Sequence, residues 1–437
     1  MLKIPKCLLC FLDDDYQMEL RSEAQRLQSR HERALKEYKS LFEGVLGQIG
    51  STGQCSIHNQ KDVQFAWWID EFLGEIKTVN LDDIFDPLTD AYISWISGEL
   101  ETSAATLNAC LKALGYENRP DRDLDVGLYF RGRSGKHNRD AMLHIPFDMR
   151  QCISNQRYSL PGQPLLYLGL SIIDVICELQ GDPLRIDDYS FSYYWLGDPG
   201  SVRILDIGNS LQDFMWNNLR PIIAAGSQIR SAITSGEMPL SSPNHQAYKE
   251  RFITFVIAAM CSFRRVAISN NDKFVPEYVL PQLLAHWARK IGYDGIRYTS
   301  TRIDGAKWQL SGSLKLNRYR ENLALFTRFN AVSNDRHDNR LLGRFEISDP
   351  VQLVSVTAIA AGDIETLRRE IVALNNARPR GDLHHLIRVS GIDLETSFAE
   401  LVQVDAGGRQ IPYTNTDCGK IQLYLQYLFL NARKSSW

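Results

Sequence analysis

The stretch QRYSLPGQPLLYLGLSIIDVICELQG, residues 156–181, changes its hydrophobic period within a few residues, and that change decides the fold. Residues 164–170, PLLYLGL, form a short apolar run behind a Ser-Leu-Pro-Gly turn and predict a buried strand. Ser171 then stands where a helix N-cap is needed, and residues 172–179 continue as a short apolar helix. Glu178 falls in the last turn of that helix. A carboxylate there opposes the negative end of the dipole and typically costs about 0.3–1 kcal/mol, so either a requirement other than helix stability holds it there or it is a solvated surface residue.

Working outward, residues 126–133 (VGLYFRGR), 202–208 (VRILDIG), 295–300 (GIRYTS) and 321–326 (ENLALF) are further short apolar or alternating runs bounded by Gly, Pro or Asp. Helical spacing is expected between them at 211–218, 245–266 and 281–291. This is the pattern of a mixed α+β domain. Beyond it, GRFEI and VQLVSVTAI (343–347 and 351–359) predict more strand, followed by helices at 363–376 and 419–430. The N-terminal part differs: apolar residues at three-and-four spacing run from Leu20 through Ala34, Leu35, Tyr38 and Phe42 to Val45, predicting one long helix over 13–45 begun by Asp13, Asp14 and Asp15. Helical patterning resumes at 63–76, 81–100 and 102–114, with Gly115 as a stop. The expected organisation is an all-helical domain at 1–118, an α+β domain at 125–330 and a carboxyl-terminal extension at 331–437 packed on it.

Composition narrows the function classes. The chain has 437 residues, 44% hydrophobic and 23% charged, enough to bury large cores and against intrinsic disorder. Lys plus Arg total 49 against 52 Asp plus Glu, a net charge of -3, so a nucleic-acid-coating surface is not indicated. The longest apolar stretches are about ten residues, short of the ~20 a membrane-spanning helix needs. Eight irregularly spaced Cys and no cleavable leader pattern fit a reducing cytoplasmic setting. Phosphate-loop, nucleophile-elbow and H-E-x-x-H signatures are missing.

Taken in order, LYFRGR (128–133), the 156–181 stretch, ILDIG (204–208), YVLPQLLAHWARKIGYDGIRYTSTR (278–302) and ENLALF (321–326) resemble the RES domain, named for its Arg, Glu and Ser. The resemblance covers about 125–330. It implies an ADP-ribosyltransferase-like fold and consumption of NAD+ by hydrolysis, phosphorolysis or ADP-ribose transfer, often by a toxin restrained by an antitoxin. Carried over residue by residue, the family's first Arg corresponds to Arg131, with Phe130 in the place of a Tyr. The second corresponds to Arg157, with Ser159 where Asn is usual. The strand Tyr is Tyr167, the Glu is Glu178 and the Ser is Ser300. Such residue types suit the substrate: guanidinium groups pair bidentately with phosphate, a Tyr ring packs on nicotinamide or ribose, and a carboxylate stabilises the oxocarbenium-like state of glycosidic cleavage. The resemblance thus gives Glu178 the charge-stabilising role and Ser300 an orienting one.

A second constellation is Cys7-x-x-Cys10 with Cys55-x-x-His58, four residues suited to tetrahedral zinc, the alternative being unrelated buried thiols and a surface His. The Cys-x-x-Cys-Phe-x-Asp start also resembles a domain found ahead of some RES domains. Two competing readings are an HEPN-type ribonuclease, from Arg26 and His31 at R-x4-H spacing on the first helix, and a non-catalytic NAD-binding scaffold. His384 and His385 lack an acidic cluster nearby and read as structural. Self-association is left open.

Overall fold

The computed structural model describes residues 3–56, 63–118, 122–124, 127–182, 185–198, 200–208, 211, 215, 245–266, 273–302, 308–310, 320–359, 369, 401–404 and 408–433. The expected helices at 211–218 and 363–376, and the pair His384 and His385, lie outside the described residues or largely so.

The chain divides into two compact units, one of residues 1–119 and 207–287, the other of 120–206 and 288–437. In the first, α1 (Leu8–Phe11), α2 (Asp14–Leu27), α3 (His31–Gln48), α4 (Val63–Ile76), α5 (Asp82–Ile96) and α6 (Leu100–Ala113) follow the apolar spacing, and Gly98 and Gly115 end the last two in left-handed conformations. The expected helix over 13–45 is two helices, broken at residues 28–30. The physical reason is burial: α2 folds back on α3, covering Leu20 and Ala24 on one and Ala34, Leu35 and Tyr38 on the other, and the buried Tyr38 hydroxyl donates to Gln17 Oε1 at 2.8 Å. One straight helix would leave that face in water.

The domain expectation also needs correction over 207–287, which belongs with the helical unit. Helix α8 (His245–Met260) supplies the reason: Tyr248 stacks on Phe72 at 3.5 Å between ring centroids, and Phe252 packs against Phe42. These rings bury a large apolar area among aromatics of the N-terminal segment. Residues 331–437, by contrast, share the second unit with 120–206.

The second unit is α+β, as expected. Its strands are β1 (Arg122–Asp123), β2 (Gly127–Ser134), β3 (Leu165–Gly169), β4 (Tyr189–Leu196), β5 (Arg203–Asp206), β6 (Gly295–Thr299), β7 (Trp308–Leu310), β8 (Glu321–Phe326), β9 (Phe345–Ile347), β10 (Leu401–Val404) and β11 (Gln410–Pro412). Eight form a mixed sheet in the order β1-β5-β6-β8-β3-β2-β4-β9, in which only β5 and β6 run parallel; β11-β10-β7 form a second, small sheet. On one face lie Leu128, Phe130, Phe191 and Tyr193 under α7 (Ile172–Glu178) and a C-terminal helix, Asp417–Arg433. On the other lie Tyr129, Leu166, Leu168, Tyr194, Leu323 and Leu325. Between α7 and that last helix the chain adds α9 (Val279–Lys290), α10 (Asn339–Leu342) and α11 (Leu353–Ile359), so the C-terminal helix is α12.

Two elements depart from the sequence reading. The YSFSYYWL strand β4 is buried along nearly its whole length, so it shows no alternation to read. Residues 351–359, expected as strand, give one bridge from Val351 to Phe191 and then helix α11, with Leu353 and Val356 buried three apart. Short apolar runs are ambiguous between the two periods.

At the start of β6, Asp294 ties several segments together. It faces Arg344 Nη1 at 2.9 Å, Arg340 Nη1 at 3.3 Å and Arg328 Nη2 at 3.6 Å, and accepts from the Arg203 amide at 3.2 Å. Burial alone would raise its carboxyl, but the Arg344 hydrogen bond, the Arg203 amide and the guanidinium charges hold it below the usual range. Its contribution is therefore present above the unfolded-state value and is lost as pH falls through the lowered folded one. Asp294→Ala should cost about 3 kcal/mol at neutral pH, because it leaves Arg344 without its anion and takes from Arg340 one of its two. Urea unfolding at pH 7 measures this, and a loss under ~1 kcal/mol would show the network to be dispensable.

Candidate active site

Two glycines set the position of the short helix that carries the candidate acid. A Cβ on Gly132 of β2 would lie 2.7 Å from Val175 Cγ1, and one on Gly169 of β3 would lie 2.8 Å from Val175 Cγ2. Only bare backbone lets α7 lie this close to the sheet. At its start the Ser171 hydroxyl accepts from the Asp174 amide at 3.2 Å, the expected cap. After Glu178 the chain turns through Gln180, whose φ of 59° is in the left-handed region that favours glycine.

Glu178 then reaches the ends of two neighbouring strands. Its Oε1 accepts from Ser300 Oγ at 2.6 Å and from Asn322 Nδ2 at 3.5 Å, while Oε2 lies 3.5 Å from Arg302 Nε. Ser300 follows β6, buried, its amide donating to the Arg320 carbonyl at 2.6 Å and its hydroxyl accepting from the Arg302 amide at 3.2 Å. Asn322 is opposite Tyr298 on one side and Gly169 on the other in the ladder. Tyr298 packs its ring on Tyr158 at 4.6 Å; burial, and then the charge of Glu178, push its hydroxyl well above the usual range. Glu178 keeps about a third of its side chain exposed. The arrangement is a carboxylate fixed by a hydroxyl and an amide, neutralised by a guanidinium, and still open to a ligand.

Arg157 sits at the tip of a tight turn closed by reciprocal Gln156 and Ser159 backbone bonds, and its Nη2 donates to Thr301 Oγ1 at 3.2 Å, beside Ser300. Ser159, in the place of the usual Asn, spends its hydroxyl on the Leu160 and Gln163 carbonyls inside that turn. Tyr167 is half-buried on β3 opposite Ala324, on the α7 face. Arg131 differs. Alternation along β2 puts it on the Tyr129 face, away from α7, where it donates to the Tyr167 carbonyl at 3.0 Å and the Leu143 carbonyl at 3.3 Å. No acidic side chain among the described residues pairs with it, and burial lowers the proton affinity of its guanidinium. The fold therefore gathers Glu178, Ser300 and, through Thr301, Arg157, and links Arg131 to Tyr167 only through backbone.

Sequence reasoning missed Asp174, Asn322, Arg302, Arg320 and Tyr298. Asp174 had a readable signal, a second acid four residues before Glu178 on an otherwise apolar helix. Asn322 had a weaker one, an amide inside the apolar run ENLALF.

In the helical unit, Cys7 caps α1, Cys10 lies on it, and Cys55 follows a turn that Asp70 fixes by accepting from Ser51 Oγ at 2.6 Å and the Thr52 amide at 2.7 Å. The three sulfurs lie within 4.8 Å of one another, Cys10 and Cys55 at 3.7 Å. Tetrahedral zinc with Zn–S near 2.3 Å needs sulfurs roughly 3.8 Å apart, so these residues fit. A hydrogen bond with Cys10, and then burial, raise the Cys7 thiol far above its ordinary range. His58 lies outside the described residues.

The ribonuclease pair does not share a helix. Arg26 lies in the last turn of α2, exposed and paired with Glu23, while His31 begins α3, half-buried and edge-on against Tyr92 and Phe263, where desolvation of the ring lowers its pKa to about 4.

Among the described residues no helix is long and apolar enough to cross a membrane. No protein-family model matches the chain, and no solved structure does. It is 30% identical over 233 residues, 51% of its length, to a Bacillus subtilis (strain 168) protein named "Putative toxin YopC". The chain spans about half, 46%, of the length of that curated relative, and over that span it is similar to a protein named as a toxin.

Proposed function

We propose that this chain is an NAD+-consuming enzyme of RES type that cleaves the nicotinamide–ribose bond and acts as a growth-arresting toxin. The observation that carries the reading is the Glu178 site: a carboxylate held by Ser300 and Asn322, balanced by Arg302, and open to a ligand. Likeness to a protein named as a toxin supports the setting.

Breaking the glycosidic bond leaves positive charge on the ribose, and Glu178 stabilises that charge as it develops. Ser300 and Asn322 aim the carboxylate and spare it a search for geometry during the reaction. Tyr167 offers a ring face to the nicotinamide ribose, and Arg157 a guanidinium to the diphosphate. Arg131, on the opposite face of the sheet and paired with the Tyr167 and Leu143 carbonyls, supports the strand that carries Tyr167 and does not meet the ligand at Glu178. The activity belongs in the cytoplasm, where an antitoxin would restrain it. Incubating the purified chain with NAD+, with and without phosphate, and separating the products by chromatography tests this. Nicotinamide release with ADP-ribose, or with its phosphorylated form when phosphate is present, is expected; intact NAD+ after prolonged incubation would sink it.

We also propose a structural zinc ion at Cys7, Cys10 and Cys55 of the helical unit, whose sulfurs lie within 4.8 Å of one another. When bound, the ion would join the N-terminal helix to the turn before α4 through three thiolates.

A further inference from the structure

Helix α7 carries a second carboxyl that the proposed chemistry does not use. Ile172, Ile173, Val175 and Ile176 are buried as an apolar face requires, yet Asp174 among them is also 0% exposed. Neither of its carboxyl oxygens has a hydrogen bond of standard geometry among the described residues, although Ser300 and Asn322 stand close enough to act on it. Glu178 stands one helical turn further on, the spacing at which side chains meet. Ser300 and Asn322, which donate to Glu178, also flank Asp174. Two carboxyls therefore crowd around one hydroxyl and one amide.

An unpaired carboxylate in such a place is costly enough that the group takes up a proton instead. Burial, and then the charge of Glu178, push the Asp174 carboxyl well above the usual range, with Asn322, Ser300 and the Arg320 charge opposing. Other titratable or charged groups stand on the elements packed around it. Tyr298 comes from β6 and Arg302 follows that strand, reaching Glu178. Arg131 and Arg133 of β2 lie on the far side of the sheet, and Cys418 of α12 faces Cys177 instead.

The geometry points to Asp174 and Glu178 as a carboxyl dyad that carries one negative charge, with Ser300 between them. Asp174 is its neutral member, a positioning residue that fixes Glu178 without touching substrate. While Asp174 keeps its proton, the single Ser300 O–H is free to serve Glu178. Once Asp174 ionises, two like charges compete for that hydroxyl, and the aim of Glu178 is lost. Only the activity arm of the test rests on the NAD+ reading.

The sign of the stability effect follows from linkage. Below the unfolded-state value, about 3.9, both states hold the proton; above it the unfolded chain ionises while the folded one does not. Stability is therefore lost as pH rises toward the folded-state value. Thermal unfolding of the full chain at pH 5 and pH 8 reads this directly. Asp174→Asn, which mimics the neutral acid, should raise the melting temperature at pH 8 by about 2–4 °C or more, and by less at pH 5. In a Glu178→Gln background the gain should shrink, because the repelling charge is gone. Asp174→Ser repeats the comparison should the amide not fit. No gain at pH 8 with either variant, or a gain independent of Glu178, overturns the dyad.

The second arm is the pH profile of NAD+ turnover. Wild type should lose activity on the alkaline side, and Asp174→Asn should move that fall upward by about one pH unit or remove it. A profile that does not move overturns the positioning role even where the thermal result holds. A wild type without turnover defeats the NAD+ reading instead, and the thermal arm alone then decides the dyad.

Discussion

Glu178→Gln should lower NAD+ turnover by a factor of about a hundred or more while leaving NAD+ affinity nearly unchanged. The substitution keeps the shape of the side chain and an oxygen able to accept from Ser300 Oγ, so the local fold should hold. What it removes is the negative charge that meets the ribose cation only as the bond breaks, hence a loss in turnover and not in binding. Single-turnover kinetics beside calorimetry with NAD+ separates the two. In growing bacteria the wild type should deplete NAD+ and slow growth, and Glu178→Gln should abolish both effects. Arg26→Ala with His31→Ala gives the contrast: a ribonuclease would lose RNA cleavage with that pair and keep it without Glu178. Near-normal turnover by Glu178→Gln would remove this residue from the chemistry.

The second large effect belongs to the cysteine cluster. Protein purified under reducing conditions should carry about one zinc per chain by elemental analysis, and Cys7→Ser with Cys10→Ser should lose it. Structural zinc in small sites contributes apparent binding energies on the order of 10 kcal/mol, all of which is folding energy when the unfolded chain cannot hold the ion. The double variant, or a strong chelator, should therefore melt the helical unit well below the wild type. Metal-free protein with an unchanged melting profile would leave these sulfurs as core thiols.

Where side-chain period and burial agree, the fold was readable. The strand–helix passage through residues 164–179 and the run 321–326 came out within a residue or so, because each is a short apolar run ended by a clear stop. Strand β4 was not, since burial on both faces erases alternation, and neither was the break after Leu27, which no Gly or Pro marks. The site divides along the same line. Ser300 and Glu178 lie 122 positions apart, and only the resemblance joined them before the sheet did. Asp174 escaped because an acid in the first turn of a helix already has a local explanation. Arg131 was found by position, but the pleat turned it to the other side of its strand.

The interleaving of the two units has a consequence for the chain as it leaves the ribosome. The helical unit needs α8, beyond residue 244, to fill its aromatic centre, and the main sheet needs β6 and β8, which end at residues 299 and 326. Translation delivers Glu178 long before Ser300, Arg302 and Asn322, so the acid emerges without the groups that aim it. A chain that stops short of residue 322 therefore carries Glu178 without the hydroxyl and the amide that hold it, and the site assembles only once β8 has been made.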